Sequence, residues 1–239
     1  MRKQQEVDTA APAQSDVLPW EHDLTHTRYS PLCEACVRAK TRKRQCRRQV
    51  GAGDRDPPTE FGGCITADHI IVHMRGESVP GAKVTLVAQD QYTQMLGSFP
   101  SASKSADQTI KGLQSFVGKS DECQEFYTDG SPELANAATH LRWRHTVATP
   151  FRPQTNGVAE SAVRRVIEGT RACLYRSGLK HGWWDFASQA FCSLRNFSDM
   201  LPDHDGKTPY ELKFGEPCRA KLIPFGMRVE YIPLNPERV

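Results

Sequence analysis

Residues 126–161 read FYTDGSPELANAATHLRWRHTVATPFRPQTNGVAES, and their punctuation decides the fold. The β-rich run Glu125–Thr128 stops at Asp129-Gly130, a turn signal. Ser131–Trp143 then carries a helical pattern, and Arg144–Ala148 reads as another strand. Pro150 and Pro153 keep the next segment out of regular structure. A long helix is predicted from about Val158 to Ser177, with Val163, Val166, Ile167, Cys173 and Leu174 as its apolar stripe and Gly178 as its stop.

Working outward, three strands are predicted upstream: Cys64–Met74, Ala82–Gln89 and Tyr92–Phe99, the last two paired across a turn at Asp90-Gln91. Ser105 caps a helix whose apolar positions are Ile110, Leu113, Phe116 and Val117. Downstream, an aromatic helix runs from Trp183 to about Phe197, with the Trp183-Trp184 pair read as core. The order βββαβαβαα implies an α/β fold, a mixed sheet covered by helices.

The chain has 239 residues, enough for one medium domain with appendages. Residues 1–19 are polar, lack the apolar stretch of a secretory signal and read as a disordered lead-in. Residues 20–50 are short, Cys/His-bearing and basic. Residues 51–60 form a Gly/Pro-rich linker, residues 61–215 the patterned body, and residues 216–239 the start of a C-terminal extension. Met227–Pro233 in that extension has the look of a β segment. No run approaches the roughly 18 apolar residues that span a bilayer.

Net charge is +3, yet Arg38 to Arg48 holds seven basic residues among eleven and no acidic one. Such a stretch suits a polyanion; a solvated charge run or an import address is the plainer explanation. Of eight cysteines only Cys33 and Cys36 are close-spaced, which fits a reducing compartment with one metal site better than a disulfide framework.

Three carboxylates stand out. Asp68 lies inside the apolar strand I-T-A-D-H-I-I-V, where an unpaired charge is costly. Asp129 ends a strand, where ligands gather in α/β sheets. Glu160 sits in the first turn of the long helix. Each has an ordinary alternative: an edge-strand residue, a helix-capping turn, a complement to the helix dipole. Together they supply hard oxygen ligands for Mg²⁺ or Mn²⁺, and two such ions about 4 Å apart activate a hydroxyl and stabilise a leaving oxygen. There is no Ser, Cys or His constellation for covalent catalysis.

At these residues the sequence resembles the retroviral and retrotransposon integrases. The resemblance is carried by Y-T-D-G-S-P-E-L, then H-T-V-A-T-P-F-R-P-Q-T-N-G-V-A-E-S, and by K-T-P-Y-E-L-K-F-G-E-P at Lys207–Pro217, which is similar to copia-type elements. It runs from about Asp23 to Tyr231 and implies an RNase H-like core with a five-stranded sheet. It also implies that Asp68, Asp129 and Glu160 are a two-ion Mg²⁺ or Mn²⁺ triad. The activity implied is 3′-end processing and strand transfer into DNA, by a homo-oligomer acting in the nucleus. Gln154 and Asn156 in the loop, and Arg164 one turn after Glu160, are then expected to meet DNA. A catalytically inactive DNA-binding remnant of a transposable element is the alternative.

His22-x3-His26-x6-Cys33-x2-Cys36 supplies two imidazoles and two thiolates, a tetrahedral zinc set. The resemblance agrees, since the family carries an HHCC module before its core. The basic run begins directly afterwards, so Arg38, Lys40, Arg42, Lys43, Arg44, Arg47 and Arg48 are placed for DNA phosphates.

Overall fold

The computed structural model describes residues 18–27, 29–40, 57–72, 76–119, 121–148 and 157–230. Two short helices come first, α1 (His22–Thr25) and α2 (Glu34–Lys40). The body follows as β1 (Ile65–Ile71), β2 (Val84–Asp90), β3 (Leu96–Ser101), α3 (Ala106–Val117), β4 (Phe126–Thr128), α4 (Pro132–Leu141) and β5 (His145–Val147). The long helix α5 (Gly157–Ser177), then α6 (Trp184–Ser198) and α7 (Pro209–Phe214), complete it. The five strands form one mixed sheet in the order β3-β2-β1-β4-β5. β1, β2 and β3 run antiparallel, while β4 and β5 lie parallel to β1. This is the RNase H-like architecture that the resemblance implied.

Both faces of the sheet are covered. β2 is buried along its whole length, as a strand between two helix layers must be. One face packs Ile65, Ala67, Leu86 and Ala88 against Leu113 and Phe116 of α3 and Leu134 and Ala137 of α4. The other packs Val87 and Leu96 against Val166 and Cys173 of α5 and Trp184 and Phe191 of α6. Alternation along β1 therefore divides its residues: Ile65, Ala67 and His69 face α3 and α4, whereas Asp68 and Ile70 face α5 and α6. α5 and α6 approach closely because Gly169 leaves room for the Phe191 ring.

Three expectations need correction. β3 begins at Leu96, and not at Tyr92. The chain needs a wider turn here because Asp90, the fully buried last residue of β2, accepts from Thr93 N and Oγ1, each at 2.7 Å. It also accepts from Gly62 N at 3.0 Å, so Asp90 is a structural anchor inside the protein. The Trp183-Trp184 pair divides: Trp184 is buried and donates its indole N–H to Gly76 O at 2.7 Å, while Trp183 is exposed beside Phe186. Among the described residues, 216–230 carry no helix or strand, so the expected β segment does not form over Met227–Glu230; Tyr231–Pro233 lie outside the described residues.

Sequence reading passed over α7. Thr208 and Glu211 form a reciprocal capping box around its first turn, with Pro209 at the helix start and Gly215 at its end. Lys213 then locks it down. Its ammonium lies 3.6 Å from the Phe61 ring centre, 3.1 Å from Val117 O and 3.2 Å from Asp121 Oδ2. No helix among the described residues is long and apolar enough to cross a membrane.

Candidate active site and metal centre

Asp68 lies mid-way along the central strand, directly opposite Val87 of β2. It is half-buried, and its Oδ1 accepts from His69 N at 2.6 Å. Burial raises its carboxyl above the ordinary Asp range, and the charges of Asp129 and Glu160 push the same way. The field at Asp68 thus contains both other members of the expected triad. Lys104 opposes them.

Asp129 follows the last residue of β4 and is exposed. Its Oδ1 accepts from Ser131 N at 3.1 Å, which fixes the carboxylate at the mouth of α4. Gly130 must be glycine: its φ is +80°, and a Cβ would meet Val147 Cγ1 at 2.6 Å. Glu160 stands exposed in the first turn of α5, the helix that packs on β1 and β2. Three carboxylates of this kind suit hard divalent cations. Among the described residues, only the His/Cys cluster brings three or more such ligand atoms within 4.8 Å of one another.

The flank of the site was not legible in sequence. Lys104 precedes α3 and pairs with Glu133 Oε2 at 3.2 Å. His69 points to the opposite face from Asp68, where its Nε2 lies 3.1 Å from Thr109 Oγ1. Burial and Lys104 hold its pKa down at about 4, so the ring is neutral at physiological pH. The signal for this group is strand alternation, which fixes where His69 must look once Asp68 is placed.

Arg164 is exposed on α5, one turn beyond Glu160. Arg165 turns inward and donates to Gln89 Oε1 at 2.9 Å. Gln154 and Asn156 lie outside the described residues, as do Arg42, Lys43, Arg44, Arg47 and Arg48. Arg38 is exposed, pairs with Glu34 at 2.7 Å and lies over the Tyr175 ring. Lys40 is turned inward, where its ammonium donates to His26 O and, at 3.2 Å, to Thr27 O. Lys40 therefore ties down the loop after α1.

His22, His26, Cys33 and Cys36 converge. Cys33 Sγ lies 3.4 Å from His26 Nδ1, and Cys36 Sγ lies 3.4 Å from His22 Nε2 and 3.8 Å from His26 Nδ1. Zinc bonds of ordinary length, set tetrahedrally, place neighbouring N and S ligands about 3.6 Å apart. The four side chains fit that ion. Helix α1 ends at His26 in the left-handed region (φ 53°), and this sharp turn brings the second imidazole back beside the first. Burial lowers the pKa of His22, and that of His26 to about 4, which keeps both rings neutral as ligands must be.

No protein-family model and no curated protein matches the chain. Solved structures do. A chain of the simian T-cell lymphotropic virus intasome, in complex with PP2A regulatory subunit B56 gamma, aligns with a TM-score of 0.51 and 19% identity over 85% of this chain and 69% of that one. The catalytic core domain of BIV integrase aligns at 0.46 and 19% over 64% of this chain and 95% of its own. The HTLV-2 integrase catalytic core in complex with magnesium aligns at 0.48 and 15% over 64% and 97%. The likeness is one of fold: the mixed five-stranded sheet and its helices are similar in arrangement to that intasome chain.

Proposed function

We propose that this chain is a retrotransposon-type integrase, a polynucleotidyl transferase that processes DNA 3′ ends and joins them to target DNA. The observation that carries this reading is the position of Asp68. A half-buried carboxylate on the central strand faces α5, and the charges of Asp129 and Glu160 both act on it. A desolvated carboxylate under the charge of two others is unfavourable in isolation and useful for divalent ions.

In this reading Asp68, Asp129 and Glu160 hold Mg²⁺ or Mn²⁺. When bound, the ions activate a water or 3′-hydroxyl and stabilise the leaving oxygen of the phosphodiester. The protein's own contribution is placement. β1 fixes Asp68, the Asp129-Ser131 turn fixes Asp129, and the first turn of α5 carries Glu160. Arg164 contacts backbone phosphate beside them, and Arg38 with the basic residues after Lys40 extends the contact. The His22-His26-Cys33-Cys36 cluster would hold Zn²⁺ as a structural ion. The enzyme acts as a homo-oligomer, in the nucleus, where its DNA target lies.

The test is divalent-dependent reversal of strand transfer on a branched DNA, which needs little knowledge of the element's own ends. Wild type should resolve the branch with Mn²⁺ or Mg²⁺, and Glu160→Gln should not. Inactivity of both proteins, with DNA binding intact, would assign the chain to the alternative: a DNA-binding remnant without catalysis.

A further inference from the structure

We infer that the His/Cys module is a brace built into the catalytic body, so that metal uptake by the module and stability of the α5–α6 layer are one equilibrium. This inference rests on the zinc reading above. It adds a mechanical role for that ion.

The module is seated on the core by a continuous seam. α2 offers small residues, Ala35, Cys36 and Ala39, which lie against Ala172 of α5 in one buried cluster. Small side chains on both helices allow close approach. One turn further along α5, Tyr175 carries the Arg38 guanidinium 4.9 Å from its ring centre, and Arg38 pairs with Glu34 at 2.7 Å. Arg176 pairs with Asp23 of α1 at 3.1 Å. The last residue of α1, Thr25, donates to Asp199 Oδ1 at 2.9 Å, just beyond α6. Asp199 lies 3.9 Å from the buried Arg195, whose guanidinium donates to Gln94 O in the β2–β3 turn at 2.7 Å. The seam thus reaches from the module through α5 and α6 to the sheet.

The metal ligands hold this seam in shape. Cys36 is fully buried and belongs to the cluster against Ala172, so a ligand is itself a packing residue. Thr25 immediately precedes His26. A module of this size has almost no core of its own, and its shape depends on the ion. Without the ion the α1–α2 turn has no fixed form, and α5 loses its cover near Ala172, about 18 Å along the helix from Glu160.

The experiment uses the full chain. Co²⁺ substitution gives visible absorption from a tetrahedral His/Cys site and reports binding independently of stability. Thermal melting and amide exchange, with zinc and with chelator, report the core. We expect the Co²⁺ spectrum, and a single melting transition raised by about 5–11 °C at zinc near 100-fold its dissociation constant. Chelation should speed exchange at least about tenfold in residues 169–177 and 194–199. Ala172→Glu keeps all four ligands and forces a charge into the seam. It should retain the Co²⁺ spectrum and lose the zinc-dependent shift. Absence of the spectrum in wild type would overturn both the metal site and the brace. A normal spectrum with an unmoved melting temperature and unchanged exchange, or a full zinc shift in Ala172→Glu, would overturn the brace alone.

Discussion

Asp68 of β1 stands directly opposite Val87 of β2, and because Val87 packs with α5 and α6, Asp68 must face them too. A one-residue slip would turn it to α3 and away from Glu160.

Burial and two neighbouring like charges weigh on Asp68, so Asp68→Asn should be inactive on branched DNA while remaining folded. In metal-free buffer the variant should match wild type or exceed it by about 1 kcal/mol, as functional carboxylates often cost stability. Urea denaturation in chelator checks this. A clear loss of stability would show that the carboxylate supports the strand.

Thr25→Val removes the hydroxyl that donates to Asp199 at 2.9 Å. It leaves a largely buried carboxylate short of a donor and should cost about 1–3 kcal/mol. Chemical denaturation of the zinc-loaded chain measures the loss, and Thr25→Ser should restore most of it.

Cys173 and Cys192 are both buried between α5 and α6, and burial pushes each thiol up to about 12. At pH 8 neither should react with an alkylating reagent until the chain unfolds. A raised folded pKa means that the stabilisation is complete below the unfolded value, near about pH 9. It is then lost as pH climbs towards 12. Stability should therefore fall through that window, and Cys192→Ala should flatten the fall.

Gly169→Ala puts a Cβ 2.3 Å from the Phe191 ring. The gain in helix propensity is smaller than the clash, so the variant should lose about 1–3 kcal/mol. Pairing it with Phe191→Leu should recover part of the loss, read from the same melting curves.

Lys213 holds α7 to the end of α3 through two carbonyls, Asp121 and the Phe61 ring. Lys213→Met should cost about 2–3 kcal/mol and free α7. Limited proteolysis should then cut between Leu201 and Thr208 in the variant sooner than in wild type. Equal cutting would mean that the capping box alone retains the helix.

The order of elements and the candidate residues were open to sequence reasoning because they depend on local chemistry. The Asp129-Gly130 turn, the stop at Gly178 and the helical spacing of Val163, Val166 and Cys173 act over a few residues, and the elements appear where they point. The His/Cys spacing likewise singled out four side chains that the fold brings together. Tertiary structure decided what depends on distant partners. Asp90 became a buried anchor because Gly62 and Thr93 reach it. Trp184 went inside and Trp183 stayed out because one indole alone finds Gly76 O. Lys40 turned inward to carbonyls fourteen and thirteen residues away in sequence. Above all, the seating of the module on α5 rests on Thr25 with Asp199 and Asp23 with Arg176, pairs separated by 174 and 153 residues. Spacing along a chain reports which groups are present; only the packed sheet and its helices fix which of them meet.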